Sequence, residues 1–152
     1  MSYVFDKALP IAIGADHAAF DYKKELIAWL TQKGYTVADK GLYENVSVDY
    51  PDYAHPVATM VENGEATFGI LLCGSANGVC MTANKHKGIR AGLSFQTDVA
   101  RLIRQHNDAN IICLPARFIA LEQAKQMVEI FMETAFEGGR HKTRVDKISA
   151  GC

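Results

Sequence analysis

The sequence predicts an α/β protein: a doubly wound, five-stranded parallel sheet forming a Rossmann-like three-layer α/β/α sandwich. Two observations carry that prediction. Five short apolar runs alternate with stretches whose apolar residues recur at helical spacing, the signature of repeated right-handed βαβ units. The runs are also apolar almost throughout, as strands covered on both faces of a parallel sheet must be. At 152 residues with 49% hydrophobic and 22% charged residues, the chain should bury roughly 70% of its unfolded surface. It therefore needs neither disulfides nor a structural metal. No linker, repeat or low-complexity tract divides it, so residues 1–152 read as one domain.

The elements follow in order. Pro10 to Gly14 is a strand that opens into Asp16-His17. Phe20, Leu26, Ile27 and Leu30 mark one face of a helix that stops at Gly34. Tyr35 to Ala38 is the second strand. Asp39 to Asp52 has no periodicity and reads as a loop, with Asp52 capping a helix through Tyr53, Val57, Met60 and Val61. Phe68 to Leu72 is the third strand and runs directly into Cys73-Gly-Ser-Ala-Asn-Gly78. A short helix over Val79–Lys85 leads to a fourth strand, Ile89–Leu93. The helix near Thr97–Gln105 should turn Val99, Leu102 and Ile103 inward. Asn110–Leu114 is the fifth strand. The last long helix, about Ala120–Thr134, stripes Leu121, Ala124, Met127, Val128 and Phe131. Glu137-Gly138-Gly139 breaks it before a short tail helix with Val145 and Ile148.

Sixteen Lys+Arg stand against 17 Asp+Glu, a balance that excludes nucleic acid as the main partner. No apolar run reaches the roughly 18 residues of a membrane span, and Met1 to Pro10 has no leader pattern, so the expected setting is cytoplasmic. Cys73, Cys80, Cys113 and Cys152 form no C-x-x-C pair. Cys80, Cys113 and Cys152 read as free thiols without a role. His55 and His86 stand alone and no H-x-x-x-H occurs, so neither metal nor cofactor is expected.

In doubly wound sheets ligands bind outside the carboxyl ends of the strands. Asp16-His17 follow the first strand, Cys73 to Gly78 follow the third, and His106-Asn107-Asp108 lie in the turn before the fifth. These groups are predicted to converge on one edge. Cys73 to Gly78 is a small-residue loop entering a helix, where free amides and the helix dipole favour an anion and lower a thiol's pKa. It is neither G-x-G-x-x-G nor a Walker A loop. Arg140 and Arg144, four apart after a Gly-Gly bend, suit a phosphate dianion.

Taken together, the chain resembles the family of ribose-5-phosphate isomerase B and the galactose-6-phosphate isomerase subunits. The resemblance rests on Ile13-Gly14-Ala15-Asp16-His17, Asp49-Tyr50-Pro51, Cys73-Gly74-Ser75, Asn77-Gly78, Gly88-Ile89-Arg90-Ala91, Gln105-His106-Asn107-Asp108 and Glu137-Gly138-Gly139-Arg140-His141. It implies a metal-free aldose–ketose isomerase acting on ribose 5-phosphate, with another sugar phosphate of four or six carbons as the alternative. By resemblance, Cys73 is the base and His106 opens the furanose ring. Asp16 and Ser75 complete the catalytic set. Gly74, Ala76, Asn77 and Gly78 line the oxyanion loop, and Tyr50 and Asn107 contact the sugar. His17, Arg117, Arg140 and Arg144 hold the phosphate. The resemblance also implies a homodimer with shared active sites, or a tetramer. Ala76 stands where relatives often carry Gly. Val79 stands where a subgroup places a glutamate base, which puts this chain with the thiol-using members. The contrasting class, a non-catalytic nucleotide-binding module, would need neither Cys73 nor His106.

Overall fold

A computed structural model describes residues 3–151; Cys152 lies outside the described residues. Strands β1 (Ile11–Ala15), β2 (Val37–Asp39), β3 (Phe68–Cys73), β4 (Ala91–Leu93) and β5 (Ile111–Pro115) form one parallel sheet in the order β2-β1-β3-β5-β4. Helices α1 (Phe20–Gln32), α2 (Pro51–Glu62), α3 (Asn77–Ala83), α4 (Thr97–Gln105) and α5 (Leu121–Glu133) alternate with them, and α6 (Arg140–Ile148) closes the chain. The doubly wound α/β/α sandwich is thus observed.

Side chains alternate between the two faces of the sheet. Ile11, Ile13, Phe68, Ile70, Leu72, Ile112 and Leu114 point to one core with Leu26 and Leu30 of α1 and Met127, Val128 and Phe131 of α5. Ala12, Leu71, Ile111 and Cys113 point to the other with α2 and α3. Gly14 and Gly69 let α2 approach closely: a Cβ on Gly14 would lie 2.6 Å from the Tyr53 carbonyl, and one on Gly69 2.8 Å from Val57.

Two local expectations are corrected. Helix α2 begins at Pro51, and Asp52 lies inside its first turn with no capping bond from the Tyr50 cap position; the fixed φ of proline suits the first helical position. In α4, Leu102 is 43% exposed while Arg104 is buried. Arg104 can be buried because its guanidinium is satisfied. It donates to Thr134 O at 3.1 Å, Asp108 Oδ1 at 2.9 Å and Ala109 O at 2.5 Å, and it lies over the Phe5 and Phe131 rings.

The order of strands fixes where polar groups meet. The chain leaves β1 and β3, which are neighbours, toward opposite helical faces: α1 packs on one core and α2 and α3 on the other. That is the topological switch point. Asp16 and Cys73, the residues at its two carboxyl ends, are therefore brought face to face.

Candidate active site

Asp16 does two jobs at the end of β1. Its Oδ1 accepts from Ala18 N at 3.0 Å, capping the 3-10 turn His17–Ala19. Its Oδ2 accepts from the Cys73 thiol at 2.9 Å. The carboxyl group is buried and Cys73 is half-buried. The Gly74 and Ala76 amides point at the sulfur and pull its pKa down, as the loop sequence predicts. They are outweighed. Burial first, and then the hydrogen bond to Asp16 and its charge, push the Cys73 pKa up to about 11. The lowered thiol pKa expected of the loop is thus corrected to a raised one, with the thiol protonated and hydrogen-bonded to Asp16.

The loop behind the thiol is held by its own backbone. Ala76 sits at the cap position of α3 with φ 60 and ψ 2, and is fully buried. Glycine adopts this left-handed conformation freely, whereas alanine carries it at a cost of roughly 1–2 kcal/mol. Ser75 Oγ accepts from Asn77 N at 3.4 Å and from Asn77 Nδ2 at 3.3 Å. Gly78 seats Tyr50, whose ring would lie 2.5 Å from a Cβ there. Arg117 packs over Gly74 and donates its own N–H to the Gly74 carbonyl at 3.1 Å. His17 Nδ1 accepts from Val48 N at 3.4 Å. In the neutral ring this leaves the proton on Nε2, as a donor toward any anion. Asp16, His17, Tyr50, Arg117 and Cys73 to Gly78 therefore gather at the carboxyl edge.

His106, Asn107, Arg140 and Arg144 do not join them within this chain. Helix α4 runs antiparallel to the strands, so its C-cap residue His106 and the turn into β5 lie at the amino edge. Arg90, just before β4, donates to the Asn107 carbonyl at 3.1 Å and to the Asp108 carbonyl at 2.9 Å. Cys73 pairs with Pro115, and Ile111 lies four residues back along β5, so the strand alone separates the two edges by about 13 Å. The predicted convergence on one edge is corrected to two half-sites on opposite edges.

The amino-edge half has a structure of its own. Glu137 N donates to Gln105 O at 3.0 Å, docking the Gly138-Gly139 bend beside α4. His141, buried in the first turn of α6, stacks on His106 with ring centroids 4.2 Å apart and planes at 9°. Glu137 Oε2 lies 3.4 Å from His141 Nε2 and 4.0 Å from His106 Nε2. The three ligand atoms fall within 4.8 Å of one another. The lone pairs of stacked imidazoles lie in separate, nearly parallel planes, however, so one metal ion cannot lie in the plane of both rings and this arrangement does not fit a shared ion.

Three groups escape the sequence reading. Glu137 and His141 are the two ends of the Glu137–His141 motif, and the sequence assigns neither a role of its own. Arg104 and Asp108, four apart, clamp the His106 turn, and that spacing is visible in the sequence. His55 and His86 also do not stand alone. Their Nδ1 and Nε2 face each other at 2.8 Å, with Glu62 Oε2 at 3.1 Å from His86 Nδ1. The ring centroids, 5.1 Å apart, are separated by little more than that distance and two ring radii. The pair is thus a hydrogen bond in line, not a chelate.

Residues 11–148 match the family model described as Ribose/Galactose Isomerase. The chain belongs to the ribose/galactose isomerase family. Ribose-5-phosphate isomerase B of Escherichia coli is 44% identical over 140 residues, covering 92% of this chain and 94% of that one. D-erythrulose-4-phosphate isomerase of Pectobacterium atrosepticum is 42% identical over 142 residues, covering 92% and 93%. The crystal structure of ribose-5-phosphate isomerase B from Mycoplasma genitalium, with bound ribulose-5-phosphate, superposes with a TM-score of 0.92 at 40% identity, covering 96% and 97%.

Proposed function

We propose that the protein is an aldose–ketose isomerase interconverting ribose 5-phosphate and ribulose 5-phosphate through an enediolate, acting as one domain without cofactor. The observation that carries this reading is the Cys73–Asp16 contact at the switch point, inside a family of sugar-phosphate isomerases. A proton α to a carbonyl is weakly acidic, so its removal needs a positioned base and support for the charge that collects on oxygen. Cys73 takes the proton from C2 and returns it to C1. The hydroxyl proton on O2 passes to O1, which leaves a ketone at C2. Gly74, Ser75, Ala76, Asn77 and Gly78 line the developing oxyanion. His106 protonates the furanose oxygen and Asn107 binds the same end of the sugar. His17, Arg117, Arg140 and Arg144 hold the phosphate, and that remote binding aligns C1 and C2 with the sulfur.

The two half-sites support a homodimer in which each active site combines the carboxyl edge of one copy with the amino edge of another. In a two-fold dimer one contact between opposite edges occurs twice, which would complete both sites at once. Among the described residues no helix is long and apolar enough to cross a membrane; a cytoplasmic setting is part of the proposal.

The test compares ribose 5-phosphate with erythrose 4-phosphate, whose phosphorylated O4 cannot close a furanose ring. The wild type should favour ribose 5-phosphate in kcat/KM by about tenfold or more, the size of difference one well-placed contact makes. His106→Asn should cut turnover of ribose 5-phosphate by about a hundredfold and spare the tetrose. A preference for the tetrose would move the substrate assignment, and equal losses on both would remove the ring-opening role.

A further inference from the structure

We infer that Asp16 is the proton acceptor for Cys73, so that the thiol and carboxylate act as one base. This rests on the reading of Cys73 as the group that moves the substrate proton, and it assigns Asp16 a task beyond contact with sugar hydroxyls. The thiol donates its hydrogen to Asp16 Oδ2 at 2.9 Å, a short contact for sulfur. The other groups aimed at the sulfur, the Gly74 and Ala76 amides, are donors and can take no proton. Asp16 Oδ1 is occupied by Ala18 N, so the carboxylate is locked with one oxygen on the sulfur.

A protonated thiol cannot receive the C2 proton until it has lost its own. In the step the structure supports, the S–H bond breaks and its proton goes to Asp16 Oδ2. The C2–H bond breaks and that proton goes to Sγ. The C2–H electron pair forms the C1–C2 double bond, and the carbonyl pair moves onto O1. On collapse the sulfur delivers its proton to C1 and recovers the one held by Asp16. No charge is stranded on sulfur, where burial disfavours it.

The consequence separates this role from a structural one. Asp16→Asn keeps a capping oxygen for Ala18, since asparagine caps as well as aspartate, but it cannot accept the thiol proton. Turnover should fall by about 10²–10⁴-fold, the range of a general base. Alkylation of Cys73 by iodoacetamide at pH 8, located by peptide mass spectrometry, should instead become about tenfold faster, because loss of one negative neighbour raises the thiolate fraction. In the wild type that alkylation should keep rising with pH toward about 11 rather than levelling near 9. Asp16→Glu, which retains the charge but displaces it, should lose turnover without the gain in alkylation. Turnover of Asp16→Asn within threefold of wild type, or alkylation no faster than wild type, would overturn the inference. A wild-type protein that isomerises no sugar phosphate would instead remove the functional reading beneath it.

Discussion

Cys73→Ala is expected to lower kcat for ribose 5-phosphate by about 10²–10⁴-fold, with KM changed by less than about threefold. The asymmetry follows from where the residue sits. Cys73 ends β3, and its backbone remains paired with β5 and bonded to Ala116 N whatever its side chain. The residues proposed to hold the phosphate, carried by other elements, are untouched. Only the step in which a proton leaves C2 loses its partner. Cys73→Ser tests the same point with volume nearly kept: a hydroxyl is a far weaker acid than a thiol and yields its proton to Asp16 far less readily, so it should recover little. Full activity in either variant would remove the thiol from the mechanism. A rise in KM with kcat preserved would make it a binding residue.

The second large effect is complementation between two inactive proteins. Cys73→Ala destroys the carboxyl-edge half-site and leaves His106 intact; His106→Asn does the reverse. If each site draws one half from each copy, a mixed dimer holds one site with both defects and one with neither. After subunit exchange, half of all dimers are mixed and each has one working site of two, so activity on ribose 5-phosphate should return to about a quarter of wild type. If both halves came from the same chain, no mixing could restore a complete site. The mixture would then stay at the level of its parents.

Much of the fold was legible because strands buried on both sides leave unbroken apolar runs, and Phe68–Leu72 and Ile111–Leu114 are such runs. The boundaries moved by a few residues, as at β4, where Ile89 and Arg90 precede the pairing. The identities of the carboxyl-edge residues were also legible, since Asp16 and Cys73 each follow a strand directly. The position of His106 was not. Nearness to β5 in the sequence says nothing of which end of β5 is near, and the antiparallel course of α4 decides it. The state of Cys73 was misread for a related reason. Loop amides are a local feature visible in the sequence, whereas the Asp16 carboxylate arrives through the β1–β3 register over 57 residues of chain. In the same way the burial of Arg104 depends on Thr134 and Phe131, about 30 residues away, folding against it.

Proton NMR of ribose 5-phosphate with the purified, reduced protein in D2O reads whether the proton moved between C2 and C1 exchanges with solvent. Ribulose 5-phosphate is the expected product, with deuterium from solvent entering at C1 of the ketose and, on reversal, at C2 of the aldose. Conversion with complete retention of the substrate hydrogen over many turnovers would point to direct hydride movement and contradict a thiol–carboxylate base. Absence of both conversion and exchange would contradict the isomerase assignment itself.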